Sequence, residues 1–160
     1  MATEITIDQV KLGSGISFSP SNWNLISVTR TFVEAYCAVA LDNTEIAYRI
    51  SMAAHELLEN AVKYSTEGTE SVHCSFGIEP DHIWLLVEND ASADHIQTLL
   101  DEFASINEGD PLQVYISKME RALTSEKSQL GFARIRWEGQ ADLSLETQGH
   151  HVAIRAIFAR

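Results

Sequence analysis

The segment between Asp42 and Gly68 most constrains the fold, because its apolar residues recur with the period of a helix. Asp42-Asn43-Thr44-Glu45 is typical of a capping box at a helix start. At ~100° per residue, the apolar side chains share one face, and they are Ile46, Ile50, Ala53, Ala54, Leu57, Ala61 and Tyr64. The segment therefore predicts a long amphipathic helix with one buried face.

A polar stripe follows one margin of that face and contains Glu56, Asn60 and Lys63. Glu56 and Asn60 are four residues apart, so their side chains project next to each other on a helix. Such a stripe is suited to form the floor of a ligand pocket. The same residues also suit an ordinary solvated helix surface, since Glu59 and Lys63 can form an i,i+4 ion pair.

The first 41 residues predict short strands followed by a helix. Two alternating runs within residues 4–18 flank Gly13-Ser14-Gly15 and predict a small hairpin or a pair of edge strands. Ser19-Pro20-Ser21-Asn22 is a helix-start signal. The helix is expected to continue to about Leu41, with apolar residues at helical spacing, namely Leu25, Val28, Phe32, Tyr36 and Val39 or Ala40.

Strand patterns and a second helical region follow. Strands are expected over residues 71–78, 83–89, 141–147 and 151–158, and the second of them is apolar on both faces, which is typical of a central strand. Residues 92–128 contain two helical patterns separated at 107–111. They are either two packed core helices or a lid that covers a site or docks a partner. A further helix is expected over residues 130–137.

This order predicts an α+β fold, a two-layer α/β sandwich with helices on one face of a mixed, mostly antiparallel sheet. At 160 residues, the chain is expected to form a single domain over residues 1–160. The N-terminal strands offer an unpaired edge, and edge strands readily pair. A homodimer through that edge is one hypothesis.

Composition excludes several classes of protein. The chain has 11 Lys and Arg against 23 Asp and Glu, a net charge of −12, which argues against a nucleic-acid binder because phosphate neutralisation needs clustered cations. Cys37 and Cys74 have no Cys-x-x-Cys spacing, so two buried free thiols are expected. No basic-then-apolar leader and no run of 18 apolar residues is present. A cytoplasmic protein that does not enter the membrane is the expectation.

The polar stripe resembles the N box of the GHKL ATPases, which include gyrase, heat-shock chaperone, histidine kinase and mismatch-repair proteins. That box has an acidic residue or Asn, three residues, and then Asn-Ala, often followed by a basic and an aromatic residue. Glu56, Asn60, Ala61, Lys63 and Tyr64 all fit. The predicted order of elements over roughly residues 20–160 is also similar to the histidine-kinase-like ATPase fold.

The resemblance implies a Mg-ATP site. Asn60 would be the Mg²⁺ ligand, and Glu56 would orient or deprotonate the attacking hydroxyl. Lys63 would lie near phosphate. Leu130 and Gly131 match a second glycine-rich segment that receives the phosphates, where Gly131 would let the backbone approach them closely.

Two glycine-rich motifs of the family are altered in this chain, and in the segment that would receive the phosphates only Gly131 of the usual glycines is present. After its N box, the family has Asp-x-Gly-x-Gly, whose Asp accepts the adenine amino group. Asn89, Ala91 and Ala93 stand at those positions. Asn89 can still accept one hydrogen bond through its carbonyl oxygen, so it is the expected adenine contact.

A stand-alone GHKL domain resembles the anti-sigma-type serine kinases and their relatives in biofilm control. The resemblance implies a bacterial partner-switching regulator that binds Mg-ATP and phosphorylates Ser or Thr on a small antagonist protein. The alternative is a GHKL-derived interaction module that has lost nucleotide binding and docks a partner. A third reading is a globular α+β protein whose match to the N box is accidental, and the sequence alone leaves all three open.

Overall fold

The described part of the protein, in a computed structural model, comprises residues 11–66, 71–123 and 130–160, arranged as a sheet covered on one face by helices. The strands are β1 (Leu12–Phe18), β2 (Val72–Ile78), β3 (His82–Asp90), β4 (Ala141–Gln148) and β5 (His151–Ala159). The helices are α1 (Leu25–Leu41), α2 (Thr44–Tyr64), α3 (Ala93–Ile106), α4 (Pro111–Ala122) and α5 (Leu130–Trp137), and a short 3₁₀ turn spans Pro20–Asn22. The predicted two-layer α+β fold is confirmed.

The sheet has the order β1-β2-β3-β5-β4. All four pairings between these described strands are antiparallel. β3 is the central strand, as its two apolar faces predicted. Ile83, Leu85, Val87 and Asn89 alternate along it toward the helices and are buried. Because strand residues alternate between faces, Asn89 belongs to the helix-covered face of the sheet.

Helix α2 confirms the predicted amphipathic pattern. Every residue of the predicted apolar face is buried except Ile46, which is half-buried. The helix begins after Asn43, whose side-chain oxygen accepts hydrogen bonds from the backbone N–H groups of Glu45 and Ile46, both at 3.1 Å. Asp42 ends α1 in the left-handed conformation with φ of 49°. Asn43, not Asp42, therefore caps the helix that carries the polar stripe.

Helix α1 ends at Leu41 as predicted, but the apolar residues at helical spacing do not form its buried face. The helix buries Ile26, Thr29, Val33 and Cys37, whereas Val28 is 61% and Val39 is 85% exposed. Apolar residues surround most of this helix, so helical spacing alone does not select the buried side. Tyr36 and Phe32 instead lie at the margin, where their rings contact Phe76 of β2 at centroid distances of 5.0 and 6.2 Å.

The glycine segment near the N-terminus, which separates the two alternating runs of the sequence, lies within a strand. Gly13 and Gly15 lie within β1, which pairs with β2. A β-carbon at Gly13 would approach the carbonyl oxygen of Phe76 to 2.5 Å, so glycine here permits close contact between the strands. The first alternating run, residues 4–10, lies outside the described residues, and the hairpin and the homodimer stay predictions.

Residues 92–123 form two helices, as the sequence predicted, and residues 124–128 of this region lie outside the described part. α3 packs into the core, and Phe103 contacts Phe132 of α5 at a ring-centroid distance of 4.9 Å. α4 contains no buried residue. None of the described helices has the length and apolar character needed to cross a membrane. Cys37 and Cys74 are buried free thiols, as expected.

Candidate functional site

A cavity of about 510 Å³ lies where α2 faces α5 and the helices α3 and α4. Five of the six predicted site residues line it, with contributions from segments more than 60 positions apart in the sequence. The lining residues are Glu56, Glu59, Asn60, Lys63, Tyr64, Glu102, Tyr115, Leu130, Gly131, Phe132, Arg134 and Glu138. The polar stripe of α2 therefore forms one wall of a cavity of ligand size.

Gly131 allows α5 to approach this stripe. A β-carbon at Gly131 would be 2.8 Å from Oε2 of Glu56 and 3.6 Å from Nδ2 of Asn60. The first distance is shorter than van der Waals contact, so any larger side chain at this position would displace the helix or the carboxylate. The backbone of Gly131 therefore lies close to Glu56, and its approach to phosphate stays a prediction.

A hydrogen-bonded network holds the carboxylate of Glu56. Nη1 of Arg134 donates to Oε1 of Glu56 at 2.9 Å, and Nε of Arg134 donates to Oε2 of Glu138 at 2.7 Å. The hydroxyl of Tyr115 donates to Oε1 of Glu138 at 2.8 Å. The hydrogen bond to Glu138, and after it the one to Glu56, raises the pKa of Arg134. The same hydrogen bond from Arg134 lowers the pKa of Glu138. The guanidinium thus bridges two carboxylates and is linked to α4.

A buried carboxylate lies on the α3 side of the cavity. Glu102 is 5% exposed, and burial raises its pKa, although the charges of Lys118 and Lys63 act in the opposite direction. Burial and Glu102 together raise the pKa of the Tyr64 hydroxyl. Nζ of Lys63 lies 5.1 Å from the centre of the Tyr64 ring, within range of a cation–π contact.

The electrostatic balance of the lining favours cations. Four carboxylates, those of Glu56, Glu59, Glu102 and Glu138, face two cationic side chains, Lys63 and Arg134. The described residues contain no cluster of three or more His, Cys, Asp or Glu with the geometry of a metal site. The amide oxygen of Asn60 beside carboxylate oxygens nevertheless fits Mg²⁺, which prefers hard oxygen ligands and takes few of them from protein.

Asn89 is the predicted site residue that does not line this cavity. It is 5% exposed, and its Nδ2 donates to the carbonyl oxygen of Asp90 at 3.2 Å. Ala91 is fully buried, and its N–H donates to the carbonyl oxygen of His150 at 2.8 Å. Ala91, which stands at the first of the two glycine positions of the GHKL motif, is thus buried, whereas Ala93 at the second is exposed. The adenine role of Asn89 stays a prediction.

Sequence reasoning did not assign Glu102, Glu138 or Tyr115 to the site, although the first two had a partial signal in the sequence. Glu102 lies among the buried apolar residues of α3, which is unusual for a carboxylate. Arg134 and Glu138 have the spacing of an i,i+4 ion pair. Tyr115 gave no signal beyond its place in an apolar helical pattern, because its partner lies 23 positions away.

The fold is similar to one found in solved structures. One chain from the crystal structure of the SiaB-SiaC complex from Pseudomonas aeruginosa matches with a TM-score of 0.67 and 18% sequence identity. The match covers 92% of this chain and 88% of that chain. No protein-family model matches the sequence, and no curated protein matches it either. The comparison therefore establishes a shared fold over nearly the whole chain.

Proposed function

We propose that this protein is a partner-switching regulator that binds Mg-ATP in the α2/α5 cavity and phosphorylates a Ser or Thr of a small protein partner. The observation that carries the proposal is the convergence of Glu56, Asn60, Lys63, Leu130 and Gly131 on one cavity of about 510 Å³. A protein of similar fold occurs in the SiaB-SiaC complex. That fold supports a function exercised on a protein partner.

Each converging residue has a role in this proposal. Asn60 would hold Mg²⁺ through its amide oxygen, and the metal would supply positive charge to the phosphates. Lys63 adds a second cation, and the backbone at Leu130 and Gly131 gives the phosphate chain room beside α2. Glu56 accepts the proton of the partner hydroxyl. The hydroxyl oxygen bonds to the γ-phosphorus of ATP, and the bond between that phosphorus and ADP breaks. Phosphoryl transfer depends mainly on positioning and charge stabilisation.

A second function, a docking module that does not bind nucleotide, is favoured by two observations. The side chain of Arg134 donates a hydrogen bond of 2.9 Å to one oxygen of Glu56. Ala91 is fully buried at a position where the family has glycine. In this reading the carboxylate network stabilises the junction of α2 and α5, and the protein acts only by binding its partner.

Calorimetric titration with ATP and ADP, with and without Mg²⁺, tests the proposal. We expect Mg-dependent binding in the wild-type protein and its loss in Asn60→Ala. Asn24→Ala is the matched control, because Asn24 is an exposed asparagine at the start of α1 whose side chain caps nothing. Absence of binding to the folded wild-type protein at millimolar nucleotide would refute the kinase function and favour the docking module.

Phosphoryl transfer needs a separate assay. A partner captured from the source cell and incubated with Mg-ATP and the wild-type protein should gain one phosphate on Ser or Thr, measured by mass spectrometry. Glu56→Gln should retain nucleotide binding and lose transfer, because an amide cannot take up the hydroxyl proton. Equal transfer by the wild-type and Glu56→Gln proteins would remove Glu56 from the proposed mechanism.

A further inference from the structure

Arg134 joins the proposed base to a second carboxylate in the described conformation. Its guanidinium donates to Glu56 at 2.9 Å and to Glu138 at 2.7 Å, and these two carboxylates lie on α2 and just after α5. The Glu56 side chain is 17% exposed, so solvent screens this ion pair only in part. Arg134 is therefore a direct electrostatic neighbour of the group that is proposed to take up a proton.

This contact restrains a general base. Nη1 of Arg134 donates to Oε1 of Glu56, so the guanidinium lies where a hydroxyl would have to approach that oxygen. The other oxygen of Glu56 lies against the backbone of Gly131. Glu56 must lose the contact with Arg134 before Oε1 can accept a hydrogen bond from a hydroxyl in its place.

The cavity contains few cations that could meet an incoming phosphate. Lys63 and Arg134 are the cationic side chains of its described lining, and four carboxylates surround them. A phosphate that reaches Arg134 must therefore compete with Glu56 and Glu138 for its guanidinium. Arginine suits this exchange, because its planar fork fits phosphate and carboxylate oxygens in the same bidentate geometry.

We propose that Arg134 is a switch that restrains Glu56 when the cavity lacks phosphate and releases it when the phosphates of a bound nucleotide take the guanidinium. The proposal rests on the proposed nucleotide site and adds its regulation. Glu138 and Tyr115 hold the guanidinium at this position through hydrogen bonds of 2.7 and 2.8 Å. Nucleotide binding and activation of the base are thereby the same event.

A double-mutant cycle measured by calorimetry with Mg-ATP tests the competition. Glu56→Gln removes the competing charge and should tighten ATP binding by roughly three- to tenfold, a coupling typical of residues in contact. Arg134→Gln should weaken ATP binding. In the Arg134→Gln background, Glu56→Gln should change the ATP affinity by less than about twofold, because no guanidinium remains to compete for.

Controls separate the switch from general effects of charge and folding. Glu59→Gln removes a carboxylate from the same cavity, but Glu59 pairs with His55 at 3.1 Å, so its effect should be equal in both backgrounds. Arg155→Gln controls for loss of an arginine at an exposed position on β5. Titration with adenosine, which has no phosphate, should show no coupling between Glu56 and Arg134, whereas a purely structural effect would persist.

The outcomes distinguish this inference from the function on which it rests. ATP binding by the wild-type protein with additive effects of Glu56→Gln and Arg134→Gln would overturn the switch and leave the nucleotide site standing. Weaker ATP binding in Glu56→Gln would also overturn it. No ATP binding by any folded variant would overturn both. Coupling seen with ATP and absent with adenosine would support the switch.

Discussion

The backbone of Gly131 lies against the carboxylate of Glu56, so closely that a β-carbon there would stand 2.8 Å from Oε2. This contact joins the first turn of α5 to the middle of α2, two segments that are 75 positions apart. It places the amide of Asn60 and the guanidinium of Arg134 at one cavity. The junction of these two helices is therefore the structural basis of the candidate site.

Gly131→Ala is expected to destabilise the junction. The added methyl group must displace the carboxylate of Glu56, which is the end of a flexible side chain, so the overpacking costs only about 1 kcal/mol of the free energy of unfolding. Chemical denaturation measures that cost. Calorimetry should show weaker Mg-ATP binding in the same variant.

Two further variants check the cause of that loss. Gly15→Ala is the matched control, since its β-carbon would have its nearest contacts at the ordinary distances of 3.6 and 3.7 Å. Glu56→Ala combined with Gly131→Ala should recover stability, because the clashing oxygen is gone. A double variant as unstable as Gly131→Ala alone would show that the strain lies elsewhere.

Glu102→Gln is expected to stabilise the protein at alkaline pH. Burial raises the pKa of Glu102 above its ordinary value of 4.5, so the folded state binds a proton at this group more readily than the unfolded state. The ionised carboxylate therefore costs stability at pH 8, and the cost disappears as the pH falls through the raised pKa toward 4.5. Glutamine removes the charge and with it this dependence.

Denaturation curves at pH 8, 6 and 5 measure the effect of Glu102→Gln. The variant should exceed the wild-type protein in free energy of unfolding at pH 8, and the difference should shrink at each lower pH. Glu59→Gln removes an exposed carboxylate and serves as the control. A constant difference across the pH range would mean that the charge of Glu102 is not the cause.

Both thiols should be unreactive in the folded protein. Burial raises the pKa of Cys37 to about 11 and that of Cys74 to about 12, and only the thiolate is a nucleophile. A free thiol has an ordinary pKa of 9.0. The higher pKa of Cys37 alone lowers the thiolate fraction at pH 8 by about a hundredfold, and the reaction with Ellman's reagent slows by the same factor. Both should react rapidly after unfolding in guanidinium. A fast native phase would show that one thiol is accessible.

Asn43→Ala should weaken the start of the site helix. The side chain of Asn43 accepts two backbone hydrogen bonds of 3.1 Å, and loss of such a cap costs about 1 kcal/mol. Thermal and chemical denaturation measure the loss. Asn24→Ala is the control, because Asn24 precedes α1 without a side-chain cap. Equal losses in the two variants would argue against the capping bonds as the source.

Two of the helices were predicted well from the sequence. α5 was expected over residues 130–137 and spans Leu130–Trp137, and the buried face of α2 agrees at nearly every position. The buried face of α1 could not be predicted from its sequence, because apolar residues cover most of its surface. Packing against neighbouring elements determines which of them are buried. Packing against α2 and the sheet buries Val33 and Cys37 and leaves Val28 exposed.

The candidate site likewise has features that the sequence predicts and features that depend on the tertiary structure. The adjacency of Glu56 and Asn60 is a local property of helical spacing, so the sequence alone determined it, together with the α+β order of elements and the central place of β3. The ion pair between Glu56 and Arg134 joins residues 78 positions apart, and no local period encodes it. Only the tertiary structure decided that contact, the burial of Glu102 and the exclusion of Asn89 from the cavity, because each depends on how separate elements pack.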